Sequence, residues 1–203
     1  MLVLLFAPGR AMRETDPVAA LAGELAPLGL RGAPERTLGD EAIAVADRAD
    51  VAVQALCRAR ELDAWRIGMG IGAAAYPPGS DPRSAHGPAL DAARTALRAA
   101  STTSQVPLAV RAADDRHTDT AARAEAVLRL IAWMIATRSP GQWRVVRELR
   151  ENPQLPQREL AARLGVTQQT VSRALATSGW REERAAHPVL ADLLAMIDLT
   201  SQR

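Results

Sequence analysis

Short apolar runs alternate with helical patterns over the first two-thirds of this 203-residue chain, whereas beyond Pro140 the apolar spacing is helical alone. Residues 2–6, Leu-Val-Leu-Leu-Phe, form an uninterrupted apolar run closed by Pro8 and Gly9, which predicts a short buried strand. Residues 17–28 have helical spacing, with Asp16 placed to cap the helix and Pro17 in its first turn. In "ERTLGDEAIAVAD" two brief apolar arms flank Gly39 and Asp40, residues that tolerate the tight turn of a hairpin. A helix follows over 47–63, with Ala49, Val53, Leu56, Cys57 and Leu62 on its apolar side. "WRIGMGIGAAAY" (65–76) alternates as a strand whose glycines allow another backbone to come close. After a loop from residue 77 come a helix over 88–100, a strand in "VPLAVRAAD" and an amphipathic helix over 117–138. That last helix carries Val127, Leu128, Ile131, Met134 and Ile135 on one face. The order β-α-β-β-α-β-α-β predicts an α+β protein, a ferredoxin-like sandwich, and the Ser-Pro-Gly break after Arg138 predicts a boundary between units 1–138 and 139–203.

The second unit reads as all-α. Its first helix turns Trp143, Val146 and Leu149 inward and stops near "ENPQLP"; a second spans about 157–164 and a third about 167–178. Gly165 stands at the sharp corner between these two, where a residue with a side chain would be strained. Leu160, Ala161, Leu164, Val166, Val171 and Leu175 are the apolar set that two steeply crossing helices need, and Thr167 is placed to cap the third. Gln168, Gln169, Thr170, Ser172 and Arg173 are thereby left on or near the outer face, with Gln157 and Arg158 at the start of the second helix. Amide, hydroxyl and guanidinium groups suit base edges in the major groove, Gln pairing with adenine and Arg with guanine. "GVTQQTVSR" resembles the helix-turn-helix of bacterial repressors, in which "GVSxxTVSR" recurs, and the resemblance implies double-stranded DNA as the partner. A last helix is expected to start at Pro188, with Val189, Leu190, Leu193, Leu194 and Ile197 as a stripe. It would close the core of the small unit or make a dimer contact. No alternating strand pair follows Gly179, which argues against a β-wing.

Composition narrows the function. Aromatic residues make up 3% of the chain, so the core is built from Leu, Val, Ile and Ala. Cys57 is the only cysteine, which excludes an internal disulfide and a CxxC zinc framework and suits a small buried residue. The opening apolar run is short and has no basic residue before it, unlike a signal peptide, and the longest later run, 127–136, is broken by Arg129. The expectation is a soluble, cytoplasmic protein without a membrane partner. Net charge is +2, but residues 1–138 balance 16 Arg against 16 acids, whereas 139–184 hold 8 Arg against 5, an excess where a polyanion would be met. His86, His117 and His187 are far apart and have no second ligand at metal spacing, and Ser84, Ser101 and Ser104 have no partner His and Asp. Neither a metal site nor a hydrolase is expected, and no cofactor. Tyr76, the only tyrosine, is remote from the helical unit, against a tyrosine recombinase.

"LGDEAIAV" on a hairpin, "WRIGMGIGAA" on the next strand and "HGPALDAAR" opening a helix resemble the class III nucleotidyl cyclase homology domain. Fused to a terminal helix-turn-helix beginning "SPGQW", the chain is similar over about residues 1–180 to the SatD family. Active cyclases hold two metal ions with one carboxylate on the first strand and one on the hairpin. Asp40 matches the second; "MLVLLFAPGRAMR" has no acid in any register to supply the first. The Lys and Asn that such enzymes use for base and ribose are also missing, since the chain has no Lys and its one Asn is Asn152. The resemblance therefore implies a catalytically degenerate domain, used as a dimerisation scaffold, as a sensor of a nucleotide or small molecule, or to dock another protein. Asp40, Glu41, Arg66 and Arg94 are the candidate ligand contacts. The competing expectation is a nucleotide-converting enzyme that the helix-turn-helix only targets.

Overall fold

The computed structural model describes residues 1–9, 16–62, 65–76, 81–103 and 105–201. Residues 10–13 of the opening segment, Asp63, the loop stretch 77–80 and Ser104 lie outside the described residues. The first part contains β1 (Leu2–Pro8), α1 (Pro17–Leu25), β2 (Glu35–Arg36), β3 (Ala42–Ala46), α2 (Ala49–Glu61), β4 (Trp65–Ile71), α3 (Pro88–Ser101), β5 (Leu108–Ala112) and α4 (Thr118–Ala136). The five strands form one sheet in the order β2-β3-β1-β4-β5. β1 runs antiparallel to both β3 and β4, β2 pairs antiparallel with β3, and β5 joins β4 in parallel. The first four strands and the two helices between them are thus a split βαβ arrangement, extended by α3 and β5.

β1 is apolar throughout because both faces of the sheet are covered. Leu2, Leu4 and Phe6 enter the large core with residues of α1, α2 and α4, while Val3 and Leu5 face the other way into a smaller core with Ala89, Leu90 and Ala93 of α3. β4 divides in the same manner. Ile67, Met69 and Ile71 belong to the large core; Gly68 and Gly70 lie under α3, where a Cβ on Gly68 would stand 2.3 Å from the Leu97 nitrogen and one on Gly70 would stand 2.0 Å from the Ala89 carbonyl oxygen. The close approach expected of these glycines is the contact of α3 with the sheet. Asp16 caps α1, its carboxylate accepting from the Ala19 amide at 3.0 Å.

The second part is helical: α5 (Pro140–Glu151), α6 (Gln157–Leu164), α7 (Gln168–Thr177) and α8 (Trp180–Ser201). α5 opens on a reciprocal cap in which the Ser139 hydroxyl accepts from the Gln142 amide at 3.3 Å and the Gln142 side-chain oxygen accepts from the Ser139 amide at 2.7 Å. Val145, Val146, Leu149, Leu160, Ala161, Val171, Leu175 and Trp180 form a separate core. Among the described residues no strand follows β5.

Two expectations about the last helix are corrected. It starts at Trp180 and runs through Pro188 rather than beginning there. It also leaves the small core after Trp180: Leu190, Leu194 and Ile197 are fully buried in the large core, where α8 packs against α2 and α4. Burial of that stripe outweighs the backbone hydrogen bond that a proline within a helix forgoes. A buried ion pair secures the junction. Arg138, just past α4, donates through Nη2 to Glu183 of α8 at 2.6 Å and through Nε to the Ser178 carbonyl at 2.8 Å, and its guanidinium lies 4.9 Å from the Trp143 ring. Glu61, at the end of α2, takes both Arg147 and Arg150 of α5.

Candidate nucleic-acid interface

The corner between α6 and α7 takes three residues. Gly165 adopts φ +64°, in the left-handed region that ends a helix, and the amide of Val166 reaches back to the Ala161 carbonyl at 3.0 Å. A Cβ on Gly165 would meet nothing within 4 Å, so the backbone angle and not crowding calls for glycine here. Thr167 caps α7, its hydroxyl accepting from the Thr170 amide at 3.1 Å. With Leu160 and Ala161 buried on α6 and Val171 and Leu175 buried on α7, the opposite side of α7 faces outward.

Thr167, Gln168, Gln169, Thr170, Ser172 and Arg173 are all exposed, with Gln169, Thr170 and Arg173 on the side away from Val171 and Leu175; on α6 Arg158 is exposed and Gln157 is half-buried. The structure divides this set. Thr167, Gln169, Thr170 and Arg173 border a hollow of about 490 Å³ between α7 and the start of α5, whereas Gln168, Ser172, Gln157 and Arg158 lie outside it. The other wall includes Gln142 and Arg144, which the sequence reading did not select. Gln142 donates to the Thr177 hydroxyl at 2.9 Å, and Arg144 donates to the Leu164 carbonyl at 2.8 Å, at the C-terminal end of α6. No spacing in the sequence signals these two, because only the crossing of α5 with α7 puts them beside the outer face. Polar donors and acceptors around a basic concavity on a short exposed helix are equipped to meet phosphates and base edges.

A second basic hollow, of about 410 Å³, lies between the sheet and α3. It gathers Glu41, Arg66 and Arg94, three of the four residues selected as ligand contacts, and adds Arg83 and Arg98. Asp40 does not join them; it is exposed on the hairpin turn and paired with Arg36, which also donates to the Gly39 carbonyl at 2.9 Å. Where β1 and β3 border the hollow, the residues are Leu5, Ala7 and Ile43. Arg94 pairs with Asp91 at 3.2 Å and Arg83 pairs with Asp81, while the half-buried Arg66 has an Nε with no hydrogen-bond partner.

The expectation that no histidine has a second ligand nearby fails at His187. Its Nε2 lies 3.6 Å from the Cys57 sulfur and 3.6 Å from Glu183 Oε1. Glu183 and His187 are four residues apart, a spacing that pairs them only once the helix is known to start at Trp180 rather than Pro188, and Cys57 on α2 is brought to them only by the large core.

The MarR family model matches residues 137–177, which run from the end of α4 through α7 and make up about a fifth of the chain. The C-terminal part therefore carries a helix-turn-helix, the class of unit that its corner, cap and exposed second helix define. No curated protein and no solved structure matches the chain. No described helix is long and apolar enough to cross a membrane.

Proposed function

We propose that this protein is a sequence-specific DNA-binding transcriptional regulator that works as a homodimer, with the helix-turn-helix of α5 to α7 meeting DNA and the sheet unit, onto which α8 packs, serving for pairing or ligand sensing. The observation that carries the reading is the exposed surface of α7, where Gln169, Thr170 and Arg173 stand opposite a buried Val171 and Leu175 and Thr167, Gln168 and Ser172 are exposed beside them. Gln169 and Arg173 are assigned to base edges; Arg158, with Gln157 beside it, is assigned to the phosphate backbone. Exposed Leu130 and Trp133 on α4 favour pairing with a second copy, which suits half-sites one helical turn apart. The larger unit is read as a degenerate cyclase-like domain. The split βαβ order supports this, and so does the absence of any carboxylate from Leu5 and Ala7, the β1 residues that border the basic hollow.

Selection of bound fragments from random duplex DNA tests the reading. A palindromic site is expected, with affinity falling steeply as salt rises because bound phosphates release counterions. Gln169→Ala is expected to relax base preference at one position, and Arg158→Ala to weaken all sequences alike. Binding indifferent to salt and to both substitutions would refute it. Sustained conversion of ATP or GTP in the presence of Mn²⁺ would overturn the non-enzymatic assignment of the larger unit.

A further inference from the structure

Cys57, Glu183 and His187 take no part in the DNA-binding reading, and they meet where the sheet unit joins the C-terminal helices. Cys57 comes from α2, while Glu183 and His187 stand one turn apart on α8. Their three ligand atoms all lie within 4.8 Å of one another, and the sulfur and the imidazole Nε2 are 3.6 Å apart. Bonds of about 2.3 Å to sulfur and about 2.1 Å to nitrogen, meeting at a tetrahedral angle, put those two atoms roughly 3.6 Å apart. In this structure the contact is a thiol–imidazole hydrogen bond, and its length equals the separation of two ligands on one ion.

Glu183 is fully buried, and its two oxygens differ: Oε2 accepts from Arg138 at 2.6 Å, whereas Oε1 has no hydrogen-bond partner, with Arg150 Nη2 at 3.8 Å and His187 Nε2 at 3.6 Å. Arg150 Nη2 is likewise without a hydrogen-bond partner, so Oε1 has a cation near it but no bond to it, and the oxygen is free to take a closer electrophile. A cavity of about 260 Å³, whose other walls are Gln54, Pro153, Trp180 and the side chains of Arg58, Arg150 and Arg184, opens onto the three side chains and has space for an ion and a water in a fourth position. Charge also permits a cation. Arg138, Arg150 and Arg58, the three guanidinium groups drawn in from solvent, are each paired with a carboxylate, of Glu183, Glu61 and Glu24, so a thiolate at Cys57 would be an added negative charge among matched pairs, while Arg147 and Arg184 are exposed to solvent. Burial lowers the His187 pKa, which keeps the imidazole neutral, and raises that of the Cys57 thiol, so the thiolate forms only as an ion takes the place of its proton.

We propose that Cys57, Glu183 and His187 form a three-ligand site for a divalent metal ion of the zinc class, which fastens α2 to α8. Thiolate, imidazole and carboxylate in a tetrahedral set with one open position are the donors such an ion takes. The thiol proton leaves to solvent as the sulfur–metal bond forms.

The test is titration of the reduced full-length chain with Co²⁺, a spectroscopic stand-in for zinc. Because the chain has one cysteine, any thiolate-to-cobalt charge-transfer band reports Cys57. The band is expected to saturate at one ion per chain and to disappear on adding Zn²⁺. In His187→Gln the affinity is expected to fall at least about tenfold, the loss that even outer-shell changes bring. Cys57→Ser serves as the second variant if His187→Gln does not fold, and is expected to remove the rise in melting temperature that Zn²⁺ gives the parent chain. Absence of the band, saturation at one ion per two chains, or Co²⁺ or Zn²⁺ effects unchanged in the folded variant would overturn the proposal.

Discussion

Replacing Arg138 with Met isolates the interaction that holds the helix-turn-helix to the sheet unit. The side chains of Arg138 and Glu183 are each 1% exposed, so neither is solvated and each depends on the other. Removing the guanidinium leaves the Glu183 carboxylate buried, with Arg150 at 3.8 Å as its nearest remaining cation. Uncompensated buried charges of this kind cost about 3–5 kcal/mol. Loss of the donor to the Ser178 carbonyl falls within the same range, and help from Arg150 favours its lower end. For a chain of this length each kcal/mol lowers the melting temperature by about 2–4 °C, so a fall of roughly 6–20 °C is expected. Urea unfolding followed by tryptophan fluorescence, with chelator present, measures the change directly, since Trp143 and Trp180 both stack on arginines of the junction. The double substitution Arg138→Met with Glu183→Leu removes both charges and is expected to recover about 2 kcal/mol or more relative to the sum of the single changes. A single-variant cost under about 1 kcal/mol, or strict additivity in the cycle, would refute the argument that the pair is interdependent.

Other substitutions separate the parts of the fold. Gly70→Ala would place a Cβ against the backbone of α3, 2.0 Å from the Ala89 carbonyl oxygen, and is expected to cost about 1–3 kcal/mol or more by thermal unfolding. Gly165→Ala forces a side chain into the left-handed region at the α6–α7 corner and should cost about 1–2 kcal/mol, with Gly165→Asn costing less; circular dichroism melts distinguish the two. Thr167→Ala removes the α7 cap and is expected to cost about 1 kcal/mol, together with a measurable loss of DNA affinity in a gel-shift titration, while Thr167→Ser retains both. Leu194→Ala should cost about 2–5 kcal/mol, and hydrogen exchange should locate the loosening in α2 and α4 rather than in α6 and α7.

Local patterns reported the elements well where each answered to its own neighbours. The caps at Asp16 and Thr167, the turn at Gly39 and the corner at Gly165 depend on a few successive residues, and all stand where the spacing predicts. The exposed face of α7 was legible for the same reason: once Val171 and Leu175 point inward, helical geometry turns Gln169, Thr170 and Arg173 outward, while Gln168 and Ser172, nearer the apolar side, are exposed at its margin. α8 was misread because a period of apolar residues says that a stripe is buried without saying against what. Val189 and Leu190 follow Pro188 closely, so the stripe looked like a helix start near the small core, whereas Leu190, Leu194 and Ile197 fill the groove between α2 and α4.

What this sequence determines by itself is a set of short-range choices: strand or helix, where each ends, which side of each is apolar, and a glycine-cornered pair of helices with a polar outer face. The tertiary structure decides which distant residues become neighbours. Arg138 with Glu183, Arg66 with Arg83 and Arg98, and Cys57 with His187 are brought together only by packing of sheet and helices, since buried apolar area is indifferent to separation along the chain.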